Sequence, residues 1–168
     1  MIHKLTQIPP VLRTWCGALP LLALLPCTVA AQGTGARHIN PEGLAKPTGY
    51  THLVIAPDGR TVYIAGQIAL DSMGLVVGAG DFTAQAEQVF RNLQLALESV
   101  GGSMADLVKT TTFVTDIKNV AALREVRTRY LARSQPPAST LVAVSSLARP
   151  EFLIEIEGVA VLRSIVRQ

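Results

Sequence analysis

The sequence contains little cysteine, and the positions of the two cysteines exclude several kinds of chemistry. Among 168 residues the two are Cys16 and Cys27, and both lie in an N-terminal stretch that has the features of an export signal. Without that stretch the chain has no disulfide, no thiol nucleophile and no thiolate ligand for a metal. Its stability must therefore come from packing, and its length suffices for one domain with a real core.

Charged and aromatic residues are also scarce, at 16% and 5% of the chain. The formal net charge is +3. Lys4 and Arg13 lie in the N-terminal stretch and no acid does, so the charge of the remaining chain is +1. A nearly neutral protein with few aromatic residues gives no support for nucleic-acid binding or ribonuclease activity.

The N-terminal segment 1–31 is predicted to be a signal peptide. A basic start precedes the apolar run CGALPLLALLPCTVAAQ, which ends in small residues and is too short for a comfortable membrane span. We expect cleavage after Ala31, although cleavage after Ala30 fits equally well. The mature protein would then be periplasmic or secreted and would have no membrane segment. The alternative interpretation is an uncleaved anchor or a misassigned start.

The remaining chain is predicted to form one domain over residues 46–163. A glycine- and proline-rich stretch, 32–45, is expected to be a flexible arm, and 164–168 a short tail. The residue pattern of the domain predicts the order β-β-α-β-α-β-β, with the first two strands joined in a hairpin by Asp58 and Gly59. This order indicates an α+β fold in which two helices lie on one face of a mixed, mainly antiparallel sheet.

Two helices on one face leave the other face of the sheet uncovered. That face is too apolar to stand in water, so we expect it to pack against other copies of the chain, most simply in a closed ring.

Three stretches resemble the RidA family, also called YjgF or L-PSP: GYTHLVIAPDGRTVYIAGQI, AQAEQVFRNLQLALESVGGSMADLVKTTTFVTDI and PPASTLVAVSSLARPEFLIEIEGVAV. The motifs AGQ, FVTDI, PPA and IEIE follow in the family's order, and the match covers residues 46–162. The resemblance implies a chorismate-mutase-like fold and a homotrimer whose sheets form a central barrel, with clefts between subunits for a small-molecule ligand. It also implies hydrolysis of 2-imino or enamine acids to keto acids and ammonia, without a metal or an organic cofactor.

The last predicted strand carries Glu155 and Glu157, which are two residues apart. Their carboxylates should leave the same face of the strand, with Ile154 and Ile156 on the other. The resemblance makes Glu155 the catalytic residue that orients or activates the attacking water, and it leaves Glu157 a structural role. The alternative interpretation is an ordinary amphipathic strand whose acids face solvent.

The family's substrate-binding positions match only in part. Tyr50 corresponds to the cleft tyrosine, and Gly66 and Gln67 correspond to the backbone segment that approaches the ligand. Ser139 stands where the family has an arginine that binds the substrate carboxylate through two parallel hydrogen bonds, which a hydroxyl cannot replace. Arg124 stands where the family has a helix asparagine.

The second predicted helix is rich in arginine: Arg124, Arg127, Arg129 and Arg133. The simplest interpretation is a solvated helix face on which Glu125 pairs with Arg129. The alternative is that Arg124, or Arg149 in the turn before the last strand, supplies the anion contact that Ser139 lacks.

Two functional hypotheses follow from these features. The first is an exported RidA-type deaminase with altered or reduced activity, and the second is a non-catalytic trimer that binds a small metabolite in the same clefts. The missing arginine favours the second hypothesis, and Glu155 together with the implied fold favours the first.

Overall fold

A computed structural model describes residues 35–163. The predicted signal peptide and C-terminal tail lie outside the described residues. The elements are β1 (Arg37–Ile39), β2 (Leu53–Ile55), β3 (Gly59–Gln67), α1 (Phe82–Glu98), β4 (Leu107–Val114), α2 (Val120–Tyr130), β5 (Ala138–Ala143) and β6 (Ile154–Arg163). Within this part of the chain, no helix has the length and apolar character needed to cross a membrane.

The four longest strands form one mixed sheet in the order β3-β6-β4-β5. β6 pairs antiparallel with both β3 and β4, whereas β4 and β5 are parallel and are connected through α2. Both helices lie on one face of this sheet, so the predicted architecture of two helices on a mixed sheet is confirmed.

The first part of the domain differs from the prediction. Residues 37–39, placed by sequence in the flexible arm, form the strand β1, which pairs antiparallel with β2. β3 pairs with β6 instead of β2, so the predicted hairpin at Asp58 and Gly59 is wrong. The turn signal is local, whereas β3 buries part of its surface by running beside the long final strand, and this pairing overrides the signal.

The core lies between α1, α2 and the sheet. Asp81 caps α1 as predicted, because its carboxylate accepts a hydrogen bond from the Ala84 N–H at 3.0 Å. Apolar residues at helical spacing then face β6, and each fully buried one stabilises the fold by about 1.5–3 kcal/mol. The largest fully buried apolar side chains of the core are Phe90, Phe152, Leu93, Leu97, Ile154 and Ile156.

On the other face of the sheet, registered side chains form a row across all four strands: Tyr63, Val159, Lys109 and Ala138. Tyr63 is 81% exposed, which excludes a place in the core of the described chain. The closed ring predicted from this face stays a prediction.

Candidate functional site

The alternation predicted for β6 is present and places its two acids away from the helices. Ile154 and Ile156 are buried in the core, whereas Glu155 is half-buried and Glu157 is exposed. Glu155 lies opposite Phe113 of β4 in the strand register. The two acids therefore share the open face of the sheet but differ in their access to water.

The carboxylate of Glu155 lies against the backbone of β3 at Gly66. A Cβ atom at Gly66 would collide with Oε1 of Glu155, so glycine is needed for this close approach. The β3–β6 register shifts between Ile64 and Gln67, which marks a bulge at this point. The Gln67 side chain donates a hydrogen bond to the Ala65 carbonyl at 3.0 Å. The structure thus brings Glu155, Gly66 and Gln67 together, as three of the predicted site residues.

Ser139 lies in a different place. Its strand, β5, is separated from β6 by β4, and its register partner is Thr110, whose hydroxyl donates a hydrogen bond to Oγ of Ser139 at 3.1 Å. Thr110 lies opposite Gly158, on the helix side of β6. Because alternate residues of a strand point to opposite faces, Ser139 and Glu155 leave opposite faces of the sheet. One chain therefore does not bring these two predicted site residues together.

Tyr50 lies beside the first residues of β5. Thr51, the next residue, bridges to Ala138, and its hydroxyl donates a 2.6 Å hydrogen bond to the carbonyl of Pro136. The Tyr50 ring packs edge-on against His52 with 5.2 Å between the ring centroids. Tyr50 thus belongs to the Ser139 side of the molecule, away from Glu155.

A groove of about 680 Å³ runs between α2 and the segments that flank β5 and Tyr50. Its lining residues are Thr48, Gly49, Arg124, Glu125, Arg127, Thr128, Arg129, Leu131, Ala132, Arg133 and Pro136. All four arginines of the second helical region thus contribute to one concave surface. Three of these arginines, Arg124, Arg129 and Arg133, are exposed, as the predicted solvated helix face requires. Arg127 is the exception, because it is half-buried against Gly49 in the chain before β2.

The predicted pair between Glu125 and Arg129, in contrast, is wrong. Arg129 instead forms an ion pair with Glu87 of α1, and Glu87 accepts a 2.7 Å hydrogen bond from the Tyr130 hydroxyl. Packing of the two helices brings Glu87 within reach, which helical spacing alone could not indicate. Burial and the hydrogen bond to Glu87 raise the pKa of Tyr130.

Arg149 is not a free anion ligand in this structure. Its guanidinium pairs with the carboxylate of Glu151 at 2.7 Å and lies 4.7 Å from the ring centroid of Phe152. Hydrogen bonding within Glu151 and to Arg149 lowers the pKa of this carboxyl. Of the two candidates for the missing anion contact, Arg124 is the one that lines the groove.

Arg127 is a groove residue that the sequence alone did not single out. Its guanidinium fills the space that a side chain at position 49 would occupy, and Gly49 has the left-handed φ of +77°. Burial and the neighbouring charge of Arg124 lower the pKa of Arg127. Gly49, directly before Tyr50, is the sequence feature that could have indicated a close contact here. The sequence does not show that the contact is with Arg127, which is distant in the chain.

The site residues therefore form two groups with different chemistry. The first, Glu155 with Gly66 and Gln67, offers a half-buried carboxylate that can hold or deprotonate water. The second, Arg124 and Arg127 in the groove beside Gly49, offers guanidinium groups that can bind anions. Within residues 35–163, no three His, Cys, Asp or Glu side chains cluster closely enough to hold a metal ion.

Comparison with known proteins agrees with this geometry. The sequence profile of the family described as Endoribonuclease L-PSP matches residues 42–162, which is most of the chain. The chain belongs to this family, the RidA/YjgF family. The match begins before Tyr50 and ends in β6, so it includes both groups of site residues.

Individual RidA family members resemble the chain over nearly their whole length. A RutC family protein of Pyrococcus horikoshii is 37% identical over 120 residues, which are 71% of this chain and 92% of that protein. The crystal structure of YyfB from Yersinia pestis, of the Rid family, is 39% identical with a TM-score of 0.71 and covers 76% of this chain and 99% of that one. RidA from an Antarctic Psychrobacter is 34% identical, with a TM-score of 0.57 and coverage of 70% and 92%.

Proposed function

We propose that this RidA family member hydrolyses small 2-imino or enamine acids to 2-keto acids and ammonia, in clefts between the subunits of a homotrimer. Water adds to the carbon of the C=N bond, which forms a C–O bond and gives a carbinolamine. The C–N bond then breaks, ammonia leaves with the protons taken from water, and a C=O bond remains. The overall reaction consumes one water molecule and requires no oxidant or reductant.

The observation that carries the proposal is the carboxylate of Glu155 over Gly66. Among residues 35–163, no cation forms an ion pair with Glu155, so its carboxylate is available to a water molecule. A positioned carboxylate that accepts a proton from the attacking water contributes about 10²–10⁴-fold to such reactions. The same group, once protonated, can return the proton to the departing nitrogen.

The placement of the site on two faces supports the trimer. Glu155 and the groove with Arg124 leave opposite sides of one sheet, so a single chain cannot direct both toward one small molecule. A cleft between two subunits can combine Glu155 of one copy with Arg124 of the next. Arg124 would then bind the carboxylate of the substrate, the role that the resemblance gives to the position of Ser139.

Ser139 itself favours a second candidate function, the binding of a metabolite without catalysis. Its oxygen already accepts a hydrogen bond from Thr110, and a hydroxyl cannot form the bidentate, charge-assisted pair of an arginine. If Arg124 does not replace this contact, the cleft can still hold a small ligand but does not orient an imino acid for attack.

The test is imine hydrolysis by the protein from Gln32 to Gln168, with the 2-imino acid generated in place by an amino-acid oxidase. The rate above the spontaneous rate is compared for the wild type, Glu155→Gln and Glu157→Gln. Glu157 is the matched control, because it is the same residue type on the same face of the same strand. A loss of about a hundredfold in Glu155→Gln, with little change in Glu157→Gln, is expected.

Two results would contradict the proposal. Equal rates in all three proteins would remove Glu155 from the reaction. No rate above background in the wild type, with activity gained in Ser139→Arg, would instead support the binding protein with an intact scaffold. Sedimentation of the same sample tests the trimer independently.

Export is a further part of the proposal. The basic start, apolar run and small residues of segment 1–31 support it, and the absence of cysteine after Cys27 is compatible with either side of a membrane.

A further inference from the structure

The groove on α2 carries more positive charge than a single carboxylate ligand requires. Four arginines line it, and the one acid among the lining residues is Glu125. Glu125 is adjacent to Arg124 and two residues from Arg127, and side chains at such spacings on a helix do not face each other. Glu125 therefore does not neutralise these two arginines by direct pairing.

The ion pairs of the described chain leave Arg124 and Arg127 without an acidic partner. Between residues 35 and 163, the paired arginines are Arg129, with Glu87, and Arg149, with Glu151. Arg124 and Arg127 are three residues apart on α2, so their Cβ atoms are about 5–6 Å from each other. Two neighbouring positive charges, one of them half-buried, favour the binding of anions between them.

The position of Arg127 is built into the fold. Gly49, at a positive φ, leaves the space in which the guanidinium lies, and any other residue there would both strain the backbone and displace Arg127. The guanidinium is thereby held at the groove, against Gly49, rather than fully extended into solvent. The burial and the charge of Arg124 that lower the pKa of Arg127 both raise the free energy of the empty site.

We propose that the groove selects ligands with two carboxylates, Arg124 binding one and Arg127 the other. This inference rests on the proposed function, and within it the preferred substrates are 2-imino acids of the dicarboxylic type, such as the imines derived from aspartate or glutamate. A dianion neutralises both guanidinium groups, whereas a monocarboxylate leaves one of them uncompensated. The groove volume of about 680 Å³ falls in the range of small-molecule sites.

The first experiment measures binding without catalysis. Succinate and butyrate, which have the same number of carbons and differ in one carboxylate, are titrated into the wild-type protein by calorimetry. We expect succinate to bind at least about tenfold more tightly, because a second charge-assisted pair forms. Arg127→Gln should abolish this preference, and Arg127→Lys, which keeps the charge, should retain part of it.

The matched control is Arg60→Gln. Arg60 is an exposed arginine of β3 that does not line the groove, so its loss changes the net charge equally and should leave the succinate preference unchanged. Melting temperatures are recorded for all variants. If Arg127→Gln does not fold, Arg124→Gln at its exposed position gives the same comparison, with loss of the preference again expected.

The second experiment separates this inference from the proposed function. Imines generated from aspartate and from alanine are compared as substrates of the wild type and Arg127→Gln. Faster hydrolysis of the aspartate imine, lost in Arg127→Gln, supports the inference. Equal hydrolysis of both imines by both proteins overturns it but leaves the deaminase intact, whereas succinate preference without any hydrolysis supports the groove and contradicts the deaminase.

Two other probes can overturn the inference directly. Inorganic phosphate that binds more tightly than succinate would assign the groove to phosphate groups. A short oligoribonucleotide that binds more tightly, and loses affinity in Arg127→Gln, would assign it to a nucleic-acid backbone.

Discussion

The Glu155 carboxylate lies so close to the backbone of Gly66 that no side chain could occupy position 66 without moving it. The two residues come from β6 and β3, which are paired strands from opposite ends of the domain. The bulge in β3 lies beside this contact. Four predictions follow from this contact, from two others in the fold and from the N-terminal sequence.

Gly66→Ala should reduce imine hydrolysis by about tenfold or more, because the new methyl group displaces the Glu155 carboxylate from its position. The φ of Gly66 is not in the left-handed region, so the backbone itself should tolerate alanine. The control is Gly43→Ala, where a Cβ meets nothing within 4 Å. If the effect acts through Glu155, Gly66→Ala costs nothing further in a Glu155→Gln background, and an additive loss would contradict this explanation.

Gln85→Met should lower the free energy of unfolding by about 2–4 kcal/mol. The Gln85 amide is fully buried, donates to the carbonyls of Gly78 and Glu151, and accepts from the Leu153 N–H at 2.9 Å. Methionine fills similar space but leaves the Glu151 carbonyl and the Leu153 N–H unpaired, whereas the Gly78 carbonyl still accepts from the Asp81 N–H at 2.9 Å. Urea unfolding measures the change.

The control for this buried amide is Gln94→Met on the exposed face of α1. Gln94 hydrogen-bonds Glu98 at the surface, so its substitution should change the free energy of unfolding by less than about 0.5 kcal/mol. Similar effects at both positions would show that Gln85 does not hold α1 to the segment that precedes β6.

The free energy of unfolding of the wild type should decline as the pH becomes alkaline, and Tyr130→Phe should reduce this decline. The pKa of Tyr130 is higher in the folded chain than in the unfolded chain. Its contribution is therefore complete below the unfolded value of about 10 and declines as the pH rises through the folded value. Urea unfolding at pH 8 and at alkaline pH should show a steeper decline for the wild type than for Tyr130→Phe.

At neutral pH the same substitution removes the hydrogen bond to Glu87 and should cost about 1 kcal/mol. The Phe90–Tyr130 stack, with 5.1 Å between centroids, survives in phenylalanine, so packing serves as an internal control. A decline of equal slope in both proteins would attribute the alkaline sensitivity to other groups.

The full chain, expressed in a bacterium with a periplasm, should be recovered from the periplasmic fraction with Gln32 or Ala31 as its first residue. Intact mass distinguishes cleavage after Ala31 from cleavage after Ala30. Replacing both alanines with glutamine should block processing, since signal cleavage requires small residues. Unprocessed wild-type chain in the cytoplasm would contradict the signal.

Much of the architecture could be predicted because it depends on local periodicity. The alternation of β6 correctly placed Ile154 and Ile156 in the core, and the spacing of apolar residues after Asp81 correctly gave α1. The pairing of β3 was not predictable in this way. A turn signal such as Asp58-Gly59 describes four residues, whereas strand partners are selected by burial over the whole sheet.

In the candidate site, too, some features could be predicted from the sequence and others could not. Glu155, Gly66 and Gln67 could be named from sequence, and the structure places them together at a bulge. The separation of Ser139 from Glu155 could not be foreseen, because it depends on which face of which strand each residue occupies. Arg127 could not be distinguished by sequence from the other arginines of its helix, because the whole arginine-rich face has the pattern of a solvated surface.

The sequence by itself determined the family, the helices, the alternation of β6 and the replacement of an arginine by Ser139. Each of these depends only on residue identity or on short-range spacing. The tertiary structure decided which residues meet. Arg127 lies against Gly49, and Glu155 lies against Gly66. Arg129 pairs with Glu87 instead of with the predicted Glu125. Such contacts join residues distant in the chain, and they depend on the shape of the packed surfaces, which no local pattern encodes.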